Sequence, residues 1–262
     1  EAIKYWMPVD QYIGGVEHAV MHLLYSRFFM RALKHVNSIS VAEPFSSLQT
    51  QGMVCHQTFK TKEEKWVFPR DVTKKDNEFF HLQTQEPVIA GRIEKMSKSK
   101  KNVVDPQQII ENYGADTARF FMLSDSPPNR DMEWSDSGVE GSWRFLNKLW
   151  KFIKTLPNKN TKNQLPTNIS IQNKELLTFM NTTIKDVTKA IDDFHFNIAV
   201  AQIRSLFNLV SSHKIENEDD SKVVVFVTSK LLILINPMVP HLAEELWYIL
   251  GNKPSISIES WP

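Results

Sequence analysis

The amino-acid sequence predicts an α/β part followed by an all-α part, and three observations support this prediction. Near the start, a short apolar run and two glycines precede a long amphipathic stretch, in the order strand, turn and helix of a βαβ unit. After residue 142, apolar positions recur with a helical period. The 262 residues are 42% hydrophobic and 23% charged, which allows a buried core and excludes a disordered chain. We divide the chain into residues 1–130 and 131–262.

The first part follows the order of a βαβ unit. Residues 3–7 are apolar and aromatic and are predicted to form a strand that ends at Pro8. Gly14 and Gly15 are predicted to form a turn, and residues 16–36, which lack Pro and Gly, a long helix. In such units a ligand binds beyond the end of the strand, against the start of the helix.

The middle of the chain alternates charged stretches with short elements. Residues 60–78 mix both charge signs and are predicted to be a solvated excursion, whereas residues 88–93 are a second short apolar run. Asp105 is a predicted N-cap for a helix that ends near Tyr113. Residues 116–123 are predicted to form a further short helix.

The second part is predicted to be a bundle of helices. Residues 155–174 are rich in Asn and Lys and contain two prolines, so we expect a loop there. The most apolar run, residues 223–235, is too short to span a bilayer and indicates a buried helix, and no membrane contact is expected. The helices are expected at residues 176–194, 197–211, 222–235 and 241–250.

Charge and cysteine content exclude several classes of protein. Thirty-one basic and thirty acidic residues give a net charge of +1, which excludes a polybasic tail for nucleic acids but permits a local basic patch. The single cysteine, Cys55, excludes an intramolecular disulfide framework and a cysteine-rich zinc site. It fits the reducing environment of the cytoplasm, where we expect the protein.

Residues 95–101 are the strongest chemical signal in the sequence. Four lysines and two serines fall within this stretch, directly before a predicted helix. Ammonium groups neutralise polyphosphate charge, and hydroxyls and free amides hold its oxygens. The composition alone favours an exposed basic loop over a phosphate-binding site.

The order of these residues is more specific than their composition. Lys-Met-Ser-Lys-Ser at positions 95–99 resembles the second ATP-binding motif of class I aminoacyl-tRNA synthetases. Residues 5–19, with Gly-Gly-Val-Glu-His-Ala at their end, resemble the leucyl branch of that class. Further similar stretches occur in the family's order at residues 113–119, 143–150 and 240–247.

This resemblance implies the second half of a Rossmann-like nucleotide-binding domain, followed by an antiparallel helix bundle of the anticodon-binding type. The implied reaction joins leucine to its tRNA: ATP and leucine give leucyl adenylate, and the leucyl group then passes to the tRNA 3′ end. ATP is implied as cofactor with Mg²⁺ bound to it. Leucine and leucine tRNA are the implied partners of a monomeric protein.

The resemblance also implies roles for individual residues. Lys95 and Lys98 would stabilise the charge on the leaving pyrophosphate, and Glu17 would hydrogen-bond the ribose hydroxyls. Tyr12, His18 and His22 would border the amino-acid pocket, the two histidines lying on one helical face. The implied ATP-binding residues are Gly14, Gly15, Glu17, His18, Met53, Val54, Lys95, Met96, Ser97, Lys98 and Ser99. The histidine spacing alone also suits zinc, but no third ligand is evident, so we predict no metal site.

The bundle is expected to hold the tRNA body through Arg119, Arg144, Lys148 and Lys151 without reading the anticodon. Trp143, Trp150 and Trp247 are expected in the core rather than on an aromatic surface for bases.

Two departures from the family pattern qualify the resemblance. Many class I enzymes carry Gly where this loop has Lys101, which predicts a stiffer loop, and residues 60–78 fall at a variable insertion. The sequence contains neither the His-x-Gly-His motif nor an editing domain. We therefore expect a fragment that is inactive by itself. Two alternatives stay open: a class I synthetase for isoleucine or valine, and a tRNA-binding module without catalysis.

Overall fold

The computed structural model describes residues 1–156, 165–167, 169–253 and 255–262. Packing divides the chain into a sheet unit, residues 1–104 and 128–134, and a helical unit, residues 105–127 and 135–262. The predicted α/β part and all-α part are confirmed. The prediction divides the chain once, at residue 130, whereas each compact unit consists of two separate stretches of the chain. Residues 105–127 pack with the helices because Phe120 is fully buried there, stacked 5.2 Å from Phe145.

The sheet unit contains two separate sheets. Its helical elements are α1 (Ala2–Trp6), α2 (His22–His35) and the 3₁₀ turns Val16–His18 and Pro69–Asp71. Its strands are β1 (Tyr12–Gly15), β2 (Leu48–Gln51), β3 (Val54–Lys60), β4 (Trp66–Val67), β5 (Val72–Lys75), β6 (Glu78–His81), β7 (Pro87–Lys95) and β8 (Met132–Glu133). Strands β1 and β2 pair in parallel, with α2 between them in the chain, and so form the expected βαβ unit. The larger sheet has the order β4-β3-β7-β6-β5, and β8 pairs in parallel with β3.

Three predictions for the N-terminal stretch are wrong. Residues 3–7 lie in or just beyond α1 rather than in a strand, since aromatic residues favour strands only where a neighbouring strand is available. The strand is β1 instead, and it contains Gly14 and Gly15, which were predicted to form a turn. The helix predicted over residues 16–36 is interrupted after the 3₁₀ turn, and α2 begins at His22.

Residues 60–78 are not a solvated excursion. They form β4, β5 and the start of β6, which belong to the larger sheet. Phe59, Val67 and Val88 make a small core, with Phe79 packed against it. Apolar residues that stand among charged residues in the sequence therefore lie in strands at the edges of the larger sheet.

The helical unit has the larger core. Its helices are α3 (Pro106–Tyr113), α4 (Ala115–Ser124), α5 (Asp136–Thr155), α6 (Ile171–Asp192), α7 (Phe196–Ser212), α8 (Glu218–Ile235) and α9 (Pro240–Ile249), followed by a 3₁₀ turn at Ile256–Ile258. Side-chain caps begin several of them, including the predicted Asp105 and also Ser170 and Asn217. The predicted bundle is confirmed. Helix α6 begins within the predicted loop 155–174, of which residues 157–164 and 168 lie outside the described residues.

Helix α8 is the buried helix that the apolar run predicted. Val223, Leu231 and Ile235 are fully buried, together with most of the helix. Among the described residues, no helix is both long enough and apolar enough to cross a membrane. The segment is thus apolar because it lies in the core of the helical unit.

Candidate functional site

The lysine-rich loop emerges from the sheet unit at the end of β7. Lys95 is the last residue of that strand and pairs with Cys55 of β3. The amide N–H of Met96 donates to the carbonyl oxygen of Val54 at 3.0 Å. Pairing between β3 and β7 therefore brings Met53 and Val54 to the base of the loop, as expected for residues of one site.

The glycine before this pair allows a close backbone approach. A Cβ atom on Gly52 would lie 2.1 Å from the carbonyl oxygen of Arg130, so any side chain would push that segment away. Asp131 then accepts a hydrogen bond from the amide of Met53 at 2.7 Å. The sequence analysis missed Asp131 because it lies 78 positions from its partner.

Two predicted site residues from distant parts of the sequence form an ion pair. The Nζ atom of Lys95 lies 3.3 Å from Oε1 of Glu17. A hydrogen bond from its own backbone, and then the one from Lys95, hold the pKa of Glu17 below its ordinary value. A Cβ atom on Gly15 would lie 2.1 Å from the Glu17 carboxylate, so a side chain there would displace the carboxylate from its place over the end of β1. Gly14 lies beside the Tyr12 ring, where a Cβ atom would make an ordinary contact of 3.5 Å.

The structure also groups the three residues expected at an amino-acid pocket. The ring of His22 is 5.5 Å from that of Tyr12 and 6.4 Å from that of His18. The histidines do not share one continuous helix, because His18 ends the 3₁₀ turn and His22 starts α2. Phe45, which the sequence analysis missed, packs 4.3 Å from Tyr12.

Asn102 anchors the loop to the sheet. It is fully buried, and its Oδ1 accepts from the amide of Ser97 at 2.9 Å. Its Nδ2 donates to the carbonyl oxygens of His56 and Glu94 at 3.1 Å and of Lys95 at 3.3 Å. One side chain thus ties both ends of the loop to β3.

The tip of the loop is a turn closed by a hydrogen bond of 3.3 Å from the Lys101 amide to the Lys98 carbonyl. Lys101 has a φ of 57°, in the left-handed region, which explains on physical grounds why glycine suits this position. Its Nζ lies 5.2 Å from the centre of the Phe68 ring. The Ser97 and Ser99 hydroxyls are 2.7 Å apart, Lys100 pairs with Glu94, and Lys98 is exposed.

The predicted RNA-binding cations lie in the helical unit, in different settings. Arg144, Lys148 and Lys151 are all exposed on α5, and Arg144 is 3.6 Å from Glu140. The Nζ of Lys148 lies 5.5 Å from the Phe207 ring. Arg119 instead donates to the carbonyl oxygens of Pro237 and Met238 at 2.8 and 3.0 Å, so its guanidinium holds the link between α8 and α9.

The predicted tryptophans differ in burial. Trp247 is buried and donates to the Lys253 carbonyl oxygen at 3.0 Å. Trp143 is 41% exposed, so its expected place in the core is wrong, and Trp150 is half-buried. Within the described ranges, no group of three or more His, Cys, Asp or Glu side chains is placed to hold a metal ion.

Two family models match the chain. The model for "tRNA synthetases class I (I, L, M and V)" matches residues 67–135, and that for "Anticodon-binding domain of tRNA ligase" matches residues 173–262. The fold agrees: methionyl-tRNA synthetase of Mycobacterium tuberculosis superposes with a TM-score of 0.64 at 18% identity, covering 97% of this chain and 46% of that one. By these two family models the chain is similar to class I tRNA synthetases.

Within that class, the similarity is to leucine–tRNA ligases, as the sequence predicted. The ligases of Paramagnetospirillum magneticum and Rickettsia bellii are 47% and 48% identical to it and match along its whole length. A LeuRS of Agrobacterium radiobacter, solved as a ternary complex with tRNA and LeuAMS, superposes with a TM-score of 0.75 at 28% identity, over 98% of this chain and 28% of its own. The chain spans about 30% of the length of the curated relatives.

Proposed function

We propose that the chain supplies part of the active site of a leucine–tRNA ligase, together with the helical unit that holds the tRNA. The pairing of Glu17 with Lys95 at 3.3 Å supports this proposal most directly, because it unites the two motifs that the family uses for ATP. The substrates would be ATP, leucine and leucine tRNA. We place the protein in the cytoplasm as a monomer.

The proposed reaction has two steps. A carboxylate oxygen of leucine attacks the α-phosphorus of ATP, the bond to pyrophosphate breaks, and leucyl adenylate forms. A ribose hydroxyl at the tRNA 3′ end then attacks the leucyl carbonyl carbon, and AMP leaves. Positioning and charge stabilisation suffice for both steps, so no side chain needs to act as a nucleophile.

The proposed roles follow the geometry of the site. Lys95 and Lys98 neutralise the charge that develops on pyrophosphate, and Glu17 binds the ribose hydroxyls. The remaining proposed ATP contacts are Gly14, Gly15, His18, Met53, Val54, Met96, Ser97 and Ser99. Tyr12, His18 and His22 would surround leucine. Magnesium would arrive bound to ATP and neutralise phosphate charge there.

ATP would bind both residues of the ion pair between Glu17 and Lys95. Its phosphates compete for the Lys95 ammonium, and its ribose hydroxyls compete for the Glu17 carboxylate. Neither charge is then left without a partner when the pair separates, which keeps the cost of opening small.

The helical unit would hold tRNA through Arg144, Lys148 and Lys151, with Arg119 supporting the fold around them. Contacts from cations to phosphates carry no sequence information, so exchange of the anticodon should be tolerated. The 262-residue chain by itself is proposed to be inactive in adenylate formation.

The test is leucine-dependent exchange of pyrophosphate into ATP by the full-length protein. Lys98→Ala should lower the activation rate constant about 100- to 1,000-fold, because one preorganised donor is worth that much in the transition state. Leucine binding should barely change. The matched control is Lys65→Ala, whose side chain is exposed, and it should leave the rate unchanged.

Other outcomes would contradict specific parts of the proposal. Equal losses of leucine affinity and rate would place Lys98 in ground-state binding. Exchange that depends on isoleucine or valine instead of leucine would reassign the amino acid. RNA binding without any exchange in the full-length protein would favour a binding module. Exchange by the 262-residue chain within about a hundredfold of the full-length rate would refute its proposed inactivity.

A further inference from the structure

An open cleft of about 240 Å³ lies in the helical unit, between α3, α4, α5 and α9. Trp143, Asn147 and Trp150 follow one another on one face of α5 and line it, and Tyr113 faces them from the end of α3. The Tyr113 and Trp143 rings meet edge to face at 6.4 Å. Trp150 is half-buried and packs against the core, whereas the Trp143 ring is 41% exposed and stays open to solvent at the cleft.

The size and chemistry of the cleft suit one planar ring system. Its volume is below the about 300–1,000 Å³ of ordinary small-molecule pockets. The amide nitrogen of Asn147 donates to the Trp143 carbonyl oxygen at 2.9 Å, which fixes the side chain and leaves its oxygen as an acceptor. Asp116 and Thr117 also line the cleft, but the side-chain oxygens of both already make hydrogen bonds within the helical unit. Aromatic faces beside a fixed polar acceptor are typical of sites that stack a nucleobase.

The charge on α5 indicates the class of ligand. After Glu140 the helix carries no acidic residue, but it carries Arg144, Lys148, Lys151 and Lys154. The Nζ atom of Lys154 lies 5.5 Å from the centre of the Trp150 ring, at one end of the cleft. A stacked base followed by phosphates matches this arrangement of rings and cations, whereas an acidic or apolar peptide segment matches only one of the two features.

We propose that this cleft binds an unpaired base of RNA, stacked on Trp143 and Trp150, while the cations of α5 take the neighbouring phosphates. Every base has an aromatic face, so this stacking holds an RNA without identifying its sequence. The identity of the RNA as leucine tRNA rests on the proposed function. The cleft would then contribute affinity to the tRNA complex but nothing to adenylate formation.

The experiment measures the Kd of the full-length protein for a labelled leucine-tRNA transcript at two salt concentrations. Trp143→Ala should raise the Kd about ten- to a hundredfold, and Trp143→Phe should restore most of the affinity because it keeps an aromatic face. The matched control is Tyr248→Ala, which removes a 67% exposed ring on α9 that does not line the cleft, and its Kd should not change. Leucine-dependent pyrophosphate exchange, which needs no tRNA, should be unchanged in all three variants.

Abasic substitution locates the stacked base. Unpaired positions of the transcript are replaced one at a time. One of them should weaken binding by the same factor as Trp143→Ala, and the two changes together should cost no more than either alone. Additive losses at every position would overturn the proposal.

The remaining outcomes separate the cleft from the proposed function. An unchanged Kd for Trp143→Ala, or an equal rise for Tyr248→Ala, would overturn the base-binding cleft. A fall in pyrophosphate exchange with an unchanged Kd would mean that another part of the protein covers the cleft, which also overturns it. Loss of RNA binding by Trp143→Ala in a protein that never shows exchange would refute the proposed function and support the cleft.

Discussion

The two units are built on unequal cores, and the unit with the smaller core contains the signature loop. In the helical unit, apolar side chains from α4 to α9 form one continuous core. In the sheet unit the core cluster is Phe59, Val67 and Val88, and no residue of α2 is buried. Burial of apolar side chains therefore stabilises the helical unit, whereas hydrogen bonds and ion pairs hold the lysine-rich loop in place.

The exposed residues of α2 show what this difference means. Leu24, Phe28 and Phe29 are each more than half exposed, although they are large and apolar. Surfaces of this kind mark places where another surface packs. The helical unit thus has an extensive buried core, whereas α2, beside the candidate site, has no buried residue.

The largest expected difference between the two units is in the hydrogen-exchange rates of their backbone amides in the 262-residue chain. Amides of α8 should exchange only on global unfolding, and amides of α2 through local opening, so their rates should differ by about three orders of magnitude or more. The measurement is exchange followed by mass spectrometry or NMR. Similar protection in both helices would mean that α2 is stabilised as strongly as the core, and it would contradict the difference in stability inferred for the two units.

The second prediction concerns the main buried polar network of the helical unit. Asp220 accepts from Nδ2 of Asn173 at 2.8 Å and from the Glu216 amide at 3.1 Å, and the other amide atom of Asn173 bonds His213. Asp220→Asn replaces one acceptor by a donor and should lower the free energy of unfolding by about 1–3 kcal/mol. Chemical denaturation measures this. The neighbouring Asp219→Asn, on the exposed side of α8, should change it by less than about 0.5 kcal/mol.

The same carboxylate makes this stability depend on pH. Burial alone would raise the pKa of Asp220, but hydrogen bonds from Asn173 and the backbone, with His213 nearby, hold it below its ordinary value. Its stabilisation should therefore be complete above the unfolded pKa of about 3.9 and be lost as the pH falls through the lower folded pKa. If the wild type and Asp220→Asn differ equally at pH 7 and pH 2, the charge of Asp220 has no part in the network.

The last effect is expected at the loop. Asn102→Ala leaves three carbonyl oxygens and the Ser97 amide without their partner, while the small core of the sheet unit is untouched. In the full-length protein the activation rate constant should fall about ten- to a hundredfold with leucine affinity unchanged. Asn112→Ala, at an exposed position of α3, is the control. A loss of thermal stability with an unchanged rate constant would make Asn102 a purely structural residue.

The sequence predicted the features that are continuous along the chain. The lysine loop and the bundle helices were recognisable because their information lies in adjacent residues or in a helical period. Asp131 was missed because its partner lies 78 positions away, a separation that only strand pairing closes. The contact of Asn102 with His56 likewise spans 46 positions. Residues 3–7 were misassigned for the same reason, since a local strand preference does not supply a neighbouring strand.

The strands within residues 60–78 were mispredicted for a related reason. Mixed charge indicated exposure, but Val67 is buried and Phe79 packs 5.3 Å from Phe59. Within the stretch, Val67 and Val72 pack in this small core and outweigh the average composition. Likewise, the exposed Trp143 shows that a helical period predicts which residues share a face but not whether that face is covered.

The alternation of the two units along the chain has a consequence for how the protein can be cut or recombined. A truncation that begins at residue 135 removes α3 and α4, and with them Phe120, so the remaining helices lose an aromatic ring that stacks on Phe145. Conversely, a sheet unit that ends at residue 104 loses β8, which pairs with β3. No single crossover or protease site yields both units whole. A recombinant that keeps both units whole therefore needs breakpoints that respect all three crossings of the chain between them.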